Sequence, residues 1–227
     1  VALWGSSLAG GHAIVAGAAL GDRVAAVVSQ VPHLSGRAAS KANLKKRGLL
    51  PVLRLGAAAV LDTLRGIGGL PPVYVTLAGK PGQLAFMQLA DDELREYFAK
   101  HPPPSGSSSD SSALSGDSRP YQGGWQNRIL ARFALEIARY EPGSYIAKLK
   151  APLLLVVARQ DSQCPPEAVK AVVASSKKSN PSLDLTVEEI DASHFQVYQG
   201  EKHELAKSRE VAFLVGRLQK KGKKEVA

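Results

Sequence analysis

Hydrophobic and polar positions along the chain fall into two regimes. Near both ends, short and almost continuous apolar runs stand between polar turns, at residues 1–4, 24–31 and 152–158, with an alternating run at 183–190. Runs of this length bounded by turn residues predict strands, and the wholly apolar ones predict strands buried on both faces of a parallel sheet. Residues 8–20, a Gly/Ala-rich apolar stretch, predict the helix joining the first two strands in a right-handed βαβ unit. A second helix starts near Pro165 and Pro166, where the first turn tolerates proline, and a last one covers about 203–218.

Between these ends the pattern changes. From 37 to 150 no strand of comparable quality stands out, and the stretch is too long for a simple connection. Residues 49–70 are apolar with Arg54, Asp62 and Arg65 interspersed, residues 90–98 predict an acid-led amphipathic helix, and Trp125, Ile129, Phe133 and Ile137 recur at helical spacing over 125–140. Residues 102–117, rich in Pro and Ser, have little to bury and are expected to be disordered. The domain organisation that follows is an α/β core from 1–36 and 151–227, with a mostly helical insertion, 37–150, as a lid over the carboxyl edge of the sheet.

The opening dozen residues carry the first chemical signal. An apolar run stops at Gly5, Ser6 and Ser7 follow, and the apolar helix comes next, which is strand, sharp turn, helix. In a nucleophile elbow the residues two before and two after the serine must be small. Ser7 has Gly5 and Ala9 in those places, whereas Ser6 has Trp4 and Leu8, so Ser7 is the candidate nucleophile. Its place at a helix amino end favours a developing oxyanion, with the backbone N–H of Leu8 as one donor. Gly5 and Gly10 begin like a phosphate loop, but Gly11-His12 occupies the lysine position, and no dinucleotide fingerprint follows a strand. No metal or cofactor is expected.

Composition narrows the classes further. The chain has 227 residues, 44% of them apolar, enough for one α/β domain with a sizeable core. Lys and Arg outnumber Asp and Glu by 29 to 20. The excess gathers at Lys41, Lys45, Lys46 and Arg47 and in the tail at Arg217, Lys220, Lys221, Lys223 and Lys224, with little aromatic interleaving, so a solvated tail is expected and no nucleic-acid partner. The one cysteine, Cys164, excludes a disulfide framework and a multi-cysteine metal site; it suits a reducing, cytoplasmic setting and is expected to pack or lie in a loop. The longest uncharged stretch, 1–21, is broken by glycine and accounted for as strand, elbow and helix, so no membrane crossing is expected. With neither an initiator methionine nor a basic leader, the chain is expected to begin at a cut end rather than a signal peptide.

Three strands are each followed within a few residues by one member of a Ser, Asp, His set: Ser7, Asp161 and His194. That chain order with strand-end placement characterises an α/β-hydrolase arrangement. His194 is expected to take the Ser7 proton and return it to the leaving group, while Asp161 fixes the imidazole tautomer. Taken singly, Asp161 is equally a turn residue and His194 an ordinary loop histidine. His203 is a weaker base on a solvated helix face, Asp191 is too near His194 in sequence to be the preferred acid, and His12 and His33 read as packing and loop residues.

At this point the chain resembles a known group. Residues 4–12 (WGSSLAGGH), 125–128 (WQNR), 140–143 (YEPG), 151–154 (APLL) with Asp161 and Pro165, and 193–200 (SHFQVYQG) are similar to fungal polyketide-transferase-like hydrolases, dienelactone hydrolases and the X-Pro dipeptidyl-peptidase group. The resemblance implies an α/β-hydrolase-type, mostly parallel sheet carrying only its later strands, because the family places several strands before the elbow and draws a second oxyanion donor from one of their loops. Ala9 departs from the second elbow glycine common in the family. The implied activity is a serine hydrolase acting on a small-molecule acyl substrate, ester or thioester before peptide. The alternatives are an acyltransferase or peptidase of the same fold and a catalytically incomplete remnant or binding module. An unpartnered first strand would offer an edge for oligomerisation.

Overall fold

The computed structural model describes residues 1–100 and 126–225, with the side chains of 98–100 and 220–225 left out of the description. Trp125 and the stretch 102–117, expected to be disordered, lie outside the described residues. In chain order the elements are β1 (Ala2–Ser6), α1 (Leu8–Leu20), β2 (Ala26–Gln30), α2 (Gly36–Arg47), α3 (Leu49–Ile67), β3 (Tyr74–Gly79), β4 (Ala85–Gln88), α4 (Asp91–Lys100), β5 (Arg128–Leu130), α5 (Phe133–Arg139), β6 (Leu153–Ala158), α6 (Pro166–Ser179), β7 (Leu185–Ile190) and α7 (Gly200–Glu225). The chain divides into two compact units, Val1–Ala39 with Tyr140–Ala227, and Ser40–Arg139.

In the first unit β1, β2, β6 and β7 form one sheet in that order, every pair parallel. Side chains alternate across the sheet with period two. Val27, Leu153, Leu155 and Val157 join Ile14 of α1, Val169 of α6, Ile146 and Leu149 in one buried cluster. Their neighbours Val28, Leu154, Val156 and Ala158 join Ile190, Val197 and Ala206 of α7 in a second. Both faces are therefore covered, which is why β6 is apolar throughout and β2 is apolar from Ala26 to Val28. The helix α1 lies close against the sheet because Gly17 has no side chain: an added Cβ would meet Val27 Cγ2 at 2.8 Å and Leu149 Cδ1 at 2.9 Å. On the other face, ion pairs from Arg209 to Glu188 and Arg217 to Asp184 tie α7 to β7 and the residue before it.

The second unit is mostly helical and also carries strands that the sequence pattern did not single out. It carries a three-stranded sheet in the order β4-β3-β5, with β3 parallel to β4 and antiparallel to β5. The stretch expected as one helix over 125–140 is, in its described part 126–140, not one helix: β5 pairs Ile129 with Val75, the chain turns, and only Phe133–Arg139 is helical. The unit is held by Asp62 of α3, whose fully buried carboxylate accepts hydrogen bonds from Val73 N (2.8 Å), Arg132 N (2.9 Å), Arg132 Nε (2.8 Å) and Arg132 Nη2 (3.0 Å). Among the described residues no helix is long and apolar enough to cross a membrane.

Candidate active site

The site is built where the strands of the parallel sheet end. Ser6 pairs with Gln30 in the β1/β2 register, and the next N–H, that of Ser7, donates to Gln30 O at 2.9 Å. The chain then reverses sharply into α1 through Ser7, whose φ of 54° and ψ of −120° are unusual for a residue with a side chain. The turn is fastened by the Ser7 carbonyl, which accepts from Gly10 N and His33 N, each at 3.0 Å. Its tightness explains Gly5: a Cβ there would stand 2.0 Å from Ala9 O and 2.5 Å from Ala9 C. The Ser7 side chain makes no capping bond to α1 and is partly exposed. Leu8 opens α1, so its N–H belongs to the first turn, where no intrahelical acceptor exists.

The two neighbouring serines are in different settings. Ser6 Oγ is engaged, accepting from Gln30 Nε2 at 3.0 Å and sharing a 2.6 Å hydrogen bond with Tyr198 Oη. Ser6, Gln30 and Tyr198 thus form a polar chain behind the elbow, a feature the sequence pattern did not single out.

Asp161 lies just beyond β6 and His194 beyond β7, both buried. Asp161 Oδ1 accepts the N–H groups of Gln163 (2.8 Å) and Cys164 (2.6 Å), an Asx-type turn that fixes the carboxylate. Its Oδ2 is 2.7 Å from His194 Nδ1, so Nδ1 donates its proton to Asp161, and Nε2 is the acceptor nitrogen whenever the ring is neutral. Burial opposes charge on the imidazole, but the negative charge of Asp161, its hydrogen bond and the contact with Cys164 prevail, raising the His194 pKa well above its ordinary value. Asp161 and His194 are thus brought together directly, and Ser7 shares their surroundings through a fourth residue.

That residue is Cys164. Its side chain interacts with both the His194 ring and the Ser7 side chain, while burial pushes the thiol pKa up, so it stays a thiol near neutrality. Packing in a loop, as the sequence led us to expect, describes its burial but not its position. The one available signal was the Asp161-x-x-Cys164 spacing, which lets the Asp161 turn carry Cys164 toward the same histidine. One donor atom each from Asp161, Cys164 and His194 lies within 4.8 Å of the others, a spacing that among the described residues could hold a metal ion.

The remaining candidates are placed elsewhere. Exposed His12 pairs through Nδ1 with Tyr140 Oη at 2.7 Å, and buried His33 stacks on the Tyr140 ring at 6.3 Å between centroids. His203 lies on α7, and Asp191 accepts a hydrogen bond from Gln160 Nε2 rather than from His194.

Comparison with known proteins bears on the fold. No family model matches the chain. It is 31% identical over 214 residues to the quorum-quenching protein AidA of Acinetobacter baumannii (strain MDR-ZJ06), across 94% of this chain and 60% of that protein. Among solved structures it is similar to the α/β-hydrolase GrgF from Penicillium sp. sh18, with a TM-score of 0.60 and 19% identity over 95% of this chain and 63% of GrgF. It is also similar to the Paleococcus ferrophilus monoacylglycerol lipase, with a TM-score of 0.55 and 19% identity over 94% of this chain and 67% of the lipase. The chain has the α/β-hydrolase fold, as its motifs led us to expect. It spans 60% of the length of AidA.

Proposed function

We propose that the protein is a serine hydrolase that cleaves an acyl bond, ester or thioester, through an acyl-enzyme. The observation that carries this reading is the 2.7 Å contact between His194 Nδ1 and Asp161 Oδ2; it is supported by Ser7, which follows β1 at positive φ with its hydroxyl uncommitted to capping. In this reading neutral His194 takes the Ser7 proton through Nε2 as Oγ attacks the acyl carbon. Asp161 remains ionised and stabilises the imidazolium. The Leu8 N–H, at the positive end of α1, donates to the oxyanion as it forms. His194 then returns the proton to the leaving group, and a water molecule, deprotonated by the same ring, releases the acid. An alcohol or amine replacing that water would make the protein an acyltransferase. The likeness to AidA makes a quorum-signal molecule one substrate to test.

A fluorophosphonate probe tests the reading without the natural substrate. We expect the 227-residue chain, or the longest natural protein containing it, to be labelled. Labelling should vanish in Ser7→Ala, fall strongly in His194→Ala and persist in Ser6→Ala. Folded protein that is never labelled in either form would overturn the enzyme reading in favour of a binding module.

A further inference from the structure

We propose that Cys164 and His194 form a binding site for a borderline-soft divalent cation, with Zn²⁺ the fitting ion, and that its occupancy reversibly switches the protein off. The donors are of the right kind. Thiolate and imidazole together select zinc over the hard cations that take oxygen cages. They are also close, since one donor atom each from Asp161, Cys164 and His194 falls within 4.8 Å of the others, all three residues being buried.

The three residues take distinct parts. Both Asp161 oxygens are already used, Oδ1 by two backbone N–H groups and Oδ2 by His194 Nδ1. Asp161 therefore acts as the orienting partner: it holds the proton on Nδ1 and aims the Nε2 lone pair at the ion, the carboxylate–histidine–zinc arrangement of many zinc sites. The ion sits on His194 Nε2 and Cys164 Sγ, with water completing the coordination. Binding replaces the thiol proton by the metal and releases that proton to solvent. Ser7 is partly exposed and lowers the Cys164 pKa through its side chain, so the route for an ion is proposed to pass it. The inhibitory part of the proposal rests on the hydrolase reading, because the metal takes the lone pair that His194 needs as base.

Cobalt substitution tests the binding part independently of activity. Cys164 is the single cysteine of the chain, so any thiolate-to-cobalt charge-transfer band reports this residue alone. We expect Co²⁺ added to the metal-free protein to give that near-ultraviolet band together with intense visible bands of a four-coordinate site, and Zn²⁺ to abolish both. Cys164→Val and His194→Gln should each weaken Zn²⁺ binding by at least about tenfold, with loss of the charge-transfer band. Absence of the band in the wild-type protein, or unchanged Zn²⁺ affinity in folded Cys164→Val, overturns the site.

The functional arm uses fluorophosphonate labelling. Zn²⁺ should block labelling of the wild-type protein, a chelator should restore it, and Cys164→Val should be labelled equally with or without Zn²⁺. Labelling of the wild type that ignores saturating Zn²⁺ overturns the switch. Wild-type protein that is never labelled, even free of metal, but gives the cobalt spectrum defeats the hydrolase reading, and the switch with it, while leaving the metal site standing.

Discussion

The elbow makes its sharpest prediction at Gly5. A methyl group placed there by Gly5→Ala would stand 2.0 Å from Ala9 O, 2.5 Å from Ala9 C and 2.9 Å from Gly10 N, against ordinary contact from 3.4 Å outward. All three obstacles are backbone, so no rotamer change relieves them. Strand β1 and the first turn of α1 must separate by about 1.4 Å at the closest point. Overpacking of this kind typically costs about 1–3 kcal/mol, and a purely backbone collision belongs at the upper end. For a chain of this size about 3 kcal/mol lowers the melting temperature by roughly 6–12 °C. The same movement displaces Ser7, the proposed nucleophile, and a misplacement of about 1 Å can cost about 100-fold in rate. We therefore expect Gly5→Ala to remain folded at low temperature, to melt earlier, and to be labelled about 100-fold more slowly by the fluorophosphonate. Gly56→Ala is the control. It lies inside α3 with nothing within 4 Å of an added Cβ, so it should gain up to about 1 kcal/mol of helix propensity and label normally. Gly5→Ala with wild-type melting and wild-type labelling would refute the argument from tight backbone approach.

Other consequences can be measured in the same way. The base must be neutral to act and the His194 pKa is raised, so the labelling rate should fall as pH drops through a value above the ordinary histidine range; Asp161→Asn, removing the opposing charge, should move that limb to lower pH, and a limb that stays in place would exclude Asp161 as the cause. The Arg132 hydrogen bond heads the interactions that hold the Asp62 carboxyl at about 2 against an ordinary 3.8, so its stabilisation, about 2 kcal/mol, is fully present above the ordinary value and lost as pH falls toward about 2. Asp62→Asn should cost about 2–3 kcal/mol in urea melts near neutral pH by weakening the charged hydrogen bonds to Arg132, which stays partly exposed, and should flatten the acid dependence. Tyr198→Phe removes the 2.6 Å partner of Ser6 Oγ but leaves Gln30 in place; it should cost about 1 kcal/mol and change labelling only slightly.

What was legible in the sequence follows from burial. Strands β2 and β6 are covered on both faces, so β6 is apolar throughout and β2 is apolar up to Ser29 and Gln30, and the run itself reveals each strand. The elbow was legible for a related reason: the spacing of Gly5 and Ala9 about Ser7 is a steric demand that the 2.0 Å approach makes explicit. The second unit hid its sheet because β3 is only half-buried and β5 is three residues long, deriving its strand form from pairing with β3 rather than from any pattern of its own. Ile129 and Phe133 are four apart and looked like neighbours on one helix, yet a turn separates them and only the latter is helical.

The same distinction governs the candidate site. In the sheet order, β2 stands between the strand bearing Ser7 and the one that leads to Asp161, so those two strand ends are roughly 10 Å apart at about 4.8 Å per step. A serine hydroxyl and a carboxylate do not meet directly across that gap. His194 comes from beyond β7, on the far side of β6, and reaches back over Asp161, which is why its Nδ1 meets that carboxylate. Strand-end order in the sequence carries this much, because parallel strands deliver their following loops to one edge. It does not carry Cys164, three residues past Asp161, whose place beside the same ring is set by the Asp161 turn and by the return of the His194 loop. Nearness made by two loops folding against each other has no period in a single sequence, and here it puts the one thiol of the chain against the proposed base.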